Sequence, residues 1–211
     1  LDGRTGSHYC AQDTQGMVWC WGANGWTESG PQNPTTPNRT FEAQRIDDIG
    51  PVRVVSALPR RTCVVTEDGR TICWGFGCGV GALGVSEAEG NALNRQRLAI
   101  EGLSAIPTAF AGTSCATCAL LENGEVSCWG EGDEGELGNG SLSLSAEPIS
   151  VAGLQAIEQI DGRWAQICAV SRAGEVYCWG RNDHYQILPP THDYRFDNGR
   201  LNTPTQLPLY R

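Results

Sequence analysis

The chain has 211 residues, with 24 acidic side chains against 15 basic ones and a net charge of −9. A surface this acidic repels a phosphate backbone, which excludes nucleic-acid binding as the main role. No run of about eighteen apolar residues occurs, so nothing reads as a membrane-spanning helix.

Taken in chain order, the strongest signal is Cys, nine residues, then Cys-Trp-Gly, which occurs four times: Cys10 to Cys20-Trp21-Gly22, Cys63 to Cys73-Trp74-Gly75, Cys118 to Cys128-Trp129-Gly130 and Cys168 to Cys178-Trp179-Gly180. Successive second cysteines lie 53, 55 and 50 positions apart, a period that belongs to repeat architectures. Each copy is an apolar run, a turn ending in glycine (Gly16, Gly69, Gly124, Gly174) and a second apolar run, which predicts hairpins at 10–22, 63–75, 118–130 and 168–180. A three-residue loop such as Glu67-Asp68-Gly69 predicts a type I turn with a glycine bulge and sets Thr66 opposite Arg70. Counting outward then pairs Cys63 with Cys73 at a rung where alpha carbons lie about 4.5 Å apart, inside the window a disulfide tolerates. The same count pairs Cys10 with Cys20, Cys118 with Cys128 and Cys168 with Cys178, and leaves Cys78 and Cys115 for each other. Ten paired cysteines imply an oxidising compartment, outside the cytoplasm. Zinc ligation needs closer-spaced ligand pairs. Cys115-Ala-Thr-Cys118 has redox spacing, but its second cysteine belongs to a hairpin strand rather than to a helix N-terminus.

The stretch from Cys118 to Gly140, with Ala-Leu, a turn glycine, Trp-Gly and then Gly-Glu-Leu-Gly, resembles the repeat of the RCC1 (regulator of chromosome condensation) superfamily in a cysteine-rich bacterial form. The resemblance covers essentially the whole chain. It weakens after Trp21-Gly22, where Gly-x-Leu-Gly is missing, and in repeat four, where Tyr185-Gln-Ile-Leu188 stands in its place. It implies an all-β propeller of four-stranded antiparallel blades, and 1–211 reads as one RCC1-like repeat domain. Repeat four shows four strand-like runs, at 148–151, 156–161, 166–171 and 175–179. The start, Leu1-Asp2-Gly3-Arg4, matches Ile160-Asp161-Gly162-Arg163, and Thr203-Pro204-Thr205-Gln206-Leu207 resembles Glu147-Pro148-Ile149-Ser150-Val151. That phase predicts a small closed four-bladed ring whose last strands complete the first blade. An open arc completed by another chain and a fragment of a larger propeller are the alternatives. The missing initiator Met and signal peptide read as a processed chain or a portion of a longer one. Disulfide-stapled hairpins suit such small blades.

The residues carry no catalytic constellation. His8, His184 and His192 read as loop residues without a nucleophile elbow or a metalloprotease motif. Asp133-Glu134 and Asp47-Asp48 read as solvated turns, and the acidic loop 131–136 lacks the spaced ligands of an EF-hand. No enzyme activity, cofactor or metal is expected. Trp21, Trp74, Trp129 and Trp179 read as packing between blades. Trp19, Trp26 and Trp164 break the repeat and read as candidates for an exposed binding surface. All fifteen basic residues are arginine, which fits a GC-rich bacterial genome or an arginine-rich contact surface.

Long loops interrupting a regular repeat carry function. Here they are residues 23–51 and 184–202, which nominate Trp26, Arg39, Phe41, His184, Tyr185, Tyr194, Arg195 and Phe196, with Trp164, as partner-binding residues. His192 lies in the same segment. The reading is a non-catalytic protein-binding or scaffold module, periplasmic, secreted or on the cell surface, acting as an accessory subunit on a larger membrane-associated complex. The alternatives are a secreted lectin or adhesin binding glycans, and an enzyme-inhibitor propeller. Loops after the four Trp-Gly pairs differ from one another, which favours one asymmetric protein partner over repeated sugar pockets. The sequons at Asn38 and Asn139 bear on a eukaryotic secretory source only.

Overall fold

Four antiparallel sheets follow one another along the chain in a computed structural model that describes residues 8–25, 27–30, 39–78, 81–84, 97–188 and 199–208. The first contains β1 (His8–Gln12), β2 (Val18–Ala23) and β3 (Arg39–Ile46). The second is ordered β4 (Val52–Leu58), β5 (Arg61–Thr66), β6 (Thr71–Gly75) and β7 (Leu98–Ala99). The third runs β8 (Pro107–Gly112), β9 (Ala116–Leu121), β10 (Val126–Gly130) and β11 (Ser145–Ser150). The fourth runs β12 (Ile157–Arg163), β13 (Gln166–Ser171), β14 (Val176–Arg181) and β15 (Arg200–Gln206).

The repeated hairpins are β1–β2, β5–β6, β9–β10 and β13–β14, with the four predicted cysteine pairs in direct register. Their Cα separations are 4.0 to 4.2 Å, and Cys78–Cys115 spans 5.4 Å. The turn forms as its sequence dictates: the Thr66 amide donates to the Arg70 carbonyl at 2.9 Å, with Gly69 left-handed at φ 88°. The glycine after each tryptophan has a different cause. A Cβ at Gly180 would stand 2.2 Å from the Ala165 carbonyl oxygen, which accepts the Arg181 amide across the hairpin.

Stacking of sheets supplies the core. One apolar cluster joins the first and second sheets (Val18 and Ile46 with Val64 and Trp74), another the second and third (Val65 and Leu83 with Leu121 and Trp129), and another the third and fourth (Leu120 and Leu137 with Ile167 and Trp179). In each, the leading sheet offers its disulfide side and the following sheet its tryptophan. Polar bonds reinforce the seams: Thr62 and Trp74 both donate to the Glu28 carbonyl, at 2.8 and 3.2 Å. Arg61, fully buried, sends Nε to Thr117 Oγ1 at 2.8 Å and its fork to main-chain carbonyls of residues 113, 114 and 116. Burial lowers its pKa to about 9, so the guanidinium stays charged at neutral pH.

Several expectations are corrected. Strand β15 pairs with β14 and completes the fourth sheet, not the first. Residues 148–150 lie in β11, the outer strand of the third sheet, so the repeat's sequence phase is offset from its sheets. His8 is a buried residue of β1 rather than a loop residue, its Nε2 2.8 Å from Thr62 Oγ1. The segment 23–51, read as an insertion, contains β3. The matching residues 1–4 lie outside the described residues. Sheets pack in chain order, β1 against β4, β4 against β8 and β8 against β12. No cluster of that kind joins the fourth sheet to the first among the described residues, and closure of the ring is not shown.

Candidate functional site

A groove of about 630 Å³ opens between the third and fourth sheets. Four segments build it: 113–115 between β8 and β9, 131–136 after β10, 164–166 at the entry to β13, and 181–186 from the last residue of β14 onward. Their positions are fixed by covalent and main-chain ties. Cys115 is held by its disulfide to Cys78, and the Ser114 amide donates to the Trp164 carbonyl at 3.0 Å. Arg200 Nε on β15 donates to Glu134 Oε2 at 3.0 Å, binding the acidic loop to the outer strand of the next sheet.

The lining is predominantly acidic: Glu131, Asp133, Glu134, Glu136 and Asp183 against Arg181 and His184. Asp183 is matched by Arg181 at 2.5 Å and His184 Nδ1 at 2.7 Å, which hold its carboxyl below the usual range. Glu136 is only 4 % exposed, and its Oε2 accepts the Glu134 amide at 3.0 Å. Burial pushes its carboxyl up to about 7. Burial, with Asp133 nearby, raises Glu131 as well. At the rim Trp164 adopts a left-handed backbone, φ 58°, and is 73 % exposed. A large aromatic in that conformation and exposure is not accounted for by packing.

Of the residues nominated from sequence, the structure brings Trp164 and His184 together in this groove, with exposed Tyr185 next to it in the chain. Arg39 and Phe41 stand instead on β3, the outer strand of the first sheet, where Phe41 is 75 % exposed. Trp26, Tyr194, Arg195, Phe196 and His192 lie outside the described residues. Trp19 turns inward to its own hairpin, its Nε1 donating to Asp13 Oδ2 at 3.0 Å. Asp47 and Asp48 pair with Arg45 and Arg97 and form no carboxylate pair. Sequence reasoning missed Glu131, Asp133, Glu136 and Asp183 as a joint lining. The signal was partial: Asp133 and Asp183 share one offset, three residues after Gly130 and Gly180, while Arg181 and Gln186 stand where Glu131 and Glu136 would repeat. No group of three or more His, Cys, Asp or Glu side chains converges as a metal site among the described residues.

Successive antiparallel sheets, three of them four-stranded among the described residues, stacked about their inner strands define a β-propeller fold. The profile described as "Regulator of chromosome condensation (RCC1) repeat" matches residues 167–186. The chain is 29 % identical over 161 residues to the E3 ubiquitin-protein ligase HERC2 of Mus musculus, covering 75 % of this chain and 3 % of that protein. Human WBSCR16 superposes with a TM-score of 0.79 at 19 % identity, over 96 % of this chain and 53 % of the other. Prp20p of Saccharomyces cerevisiae, a protein whose crystal structure was described with its binding to Gsp1p and histones, gives a TM-score of 0.76 at 20 % identity, over 98 % and 49 %. The chain is an RCC1-like repeat β-propeller in fold, and it spans about half of each of these solved chains and a small part of HERC2.

Proposed function

We propose that the chain is a non-catalytic protein-binding module acting outside the cytoplasm, one RCC1-like repeat domain over 1–211, and that its docking face is the groove between the third and fourth sheets. The observation that carries this reading is the exposed Trp164 standing over a groove where Glu131 and Asp133 form no salt bridge among the described residues, Asp133 feeling Arg200 only at longer range. An aromatic anchor beside accessible carboxylates suits a basic partner segment: a guanidinium or ammonium can sit on the indole and bond the carboxylates together. The five disulfides are compatible with an oxidising compartment and support that location. The binding of Prp20p to Gsp1p and histones supports an interaction role at the level of the fold. An accessory role on a larger membrane-associated complex follows if the basic segment belongs to such a complex.

Native purification in mild detergent, with mass spectrometry of co-eluting chains, tests it. A stoichiometric protein that is retained by the native chain and lost with Trp164→Ala or Glu131→Gln supports the proposal. Retention unaffected by both substitutions, or a chain that elutes alone, overturns it.

A further inference from the structure

Four of the five disulfides staple strands whose register already holds the two cysteines together, and the fifth does not. The hairpin pairs sit in direct register, and all of their cysteines are buried except half-buried Cys168. Cys78 lies three residues beyond the end of β6 and Cys115 in the turn before β9, so neither belongs to a strand, and both are half-buried. Cys78 also has a left-handed backbone, φ 55°, an uncommon conformation for a residue with a side chain. Cys115 lines the groove. An accessible disulfide outside a strand ladder is the kind that exchanges with thiols, whereas a broken in-register staple has its partner held beside it to re-close. The charge of the groove selects the thiol. Of its acidic lining, Glu134 and Asp183 are matched by Arg200 and Arg181, which leaves Glu131 and Asp133 to attract an incoming cation and repel an anion.

We infer that Cys78–Cys115 is a thiol-exchange site entered through the groove and selective for thiols that carry a positive charge. The incoming thiolate attacks Cys115 Sγ, the S–S bond breaks, and its electron pair leaves on Cys78, which takes a proton from water. A second thiolate attacks the outer sulfur of the mixed disulfide on Cys115, which releases the reagent as its own disulfide and leaves Cys115 as a thiol. Two thiols are thereby oxidised to one disulfide while the protein disulfide is reduced. The structural change is local. Arg61 still holds the carbonyls of residues 113, 114 and 116, and the Glu131 amide still donates to the Cys115 carbonyl at 2.9 Å, so the rim of the groove loosens while the sheets stay stacked. Entry from the other cysteine would select the opposite charge, because Cys78 follows Phe76, whose ring lies 5.5 Å from the Arg60 guanidinium. The inference is independent of the groove's protein partner, because every readout is made on the chain alone.

The test treats the oxidised protein with cysteamine, a cationic thiol, or with 2-mercaptoethanesulfonate, an anionic one, at low ionic strength, traps free thiols with iodoacetamide and locates them by peptide mass spectrometry. Each rate is divided by that reagent's rate with uncharged 2-hydroxyethyl disulfide, which removes differences in intrinsic reactivity. Cys78 and Cys115 should be reduced about tenfold faster than any hairpin pair, Cys168–Cys178 included, with the transient cysteamine adduct on Cys115. The normalised cysteamine rate should exceed the sulfonate rate by about threefold, and that ratio should fall toward one with Glu131→Gln, with Asp133→Asn and at high salt. Hydrogen exchange should rise in 113–115 and stay unchanged in the hairpins. A hairpin pair reduced as fast, an adduct on Cys78, a sulfonate rate equal to or above that of cysteamine, or a ratio unmoved by both substitutions would overturn the inference.

Discussion

The indole Nε1 of Trp179 donates to the main-chain carbonyl of Glu136 at 2.8 Å and, with the bond from Arg200 to Glu134, couples the fourth sheet to the loop that lines the groove. The tryptophan is at once a core residue and the clamp on an acidic loop. Trp179→Phe keeps most of the apolar burial but leaves the carbonyl unpaired. It should cost about 1 to 3 kcal/mol in denaturant unfolding, and it should raise hydrogen exchange across 131–136 before the hairpin 168–178 is affected.

Gly130 tests the reason for the glycine after tryptophan. Its φ is 109°, and an added Cβ would meet the Cys115 carbonyl oxygen at 2.3 Å. Gly130→Ala should destabilise by at least about 2 kcal/mol, seen as a shifted urea midpoint. An unshifted midpoint would mean the hairpin end is not held as closely as its main-chain bonds require.

Two buried groups bend the pH dependence in opposite directions. Burial holds His8 at about 4 against 6.5 unfolded. The unfolded chain therefore binds the extra proton between those values, and stability is full above about pH 6.5 and falls as pH drops toward 4, by on the order of 3 kcal/mol. Glu136, at about 7 against 4.5, works the other way: its contribution is full below about pH 4.5 and is lost as pH rises through 7, by a similar order. The two windows overlap from about pH 4.5 to 6.5, where the opposing slopes cancel, so these two groups leave the native protein's stability nearly level there. In unfolding measured from pH 3.5 to 8, His8→Gln should unmask a loss of stability as pH rises from about 4.5 to 7, and Glu136→Gln a loss as pH drops from about 6.5 to 4.

The staples differ in what they close. Replacing Cys63 and Cys73 by alanine should cost up to about 2.8 kcal/mol, and replacing Cys78 and Cys115 up to about 3.8, by loop entropy. Only the second change should also loosen the groove, because Cys115 lines it. Comparing thermal unfolding with binding of the co-purifying partner separates the two effects.

Much of this fold was legible because its repeats are local. The cysteine spacing and turn glycines dictate hairpins whose register is set within a few residues, so four disulfides follow from counting and Cys78–Cys115 is the pair left over. Outer strands were harder to read. β3 lies in a segment without the repeat's apolar alternation, and β7 is two residues long, so neither announces itself. The phase of the ends misled for a related reason: Thr203-Pro204 does resemble Glu147-Pro148, but each is the last strand of its own sheet. Trp164 stood out by breaking the pattern. The carboxylates around it belong to ordinary acidic turns and become one lining only after the third and fourth sheets stack.

Hydrogen exchange of the protein alone and within its natively purified complex is the most direct test of the docking face. Protection concentrated in 113–115, 131–136, 164–166 and 181–186 is the predicted result. Protection confined to the outer strands, with those four loops exchanging as in the free protein, would contradict it.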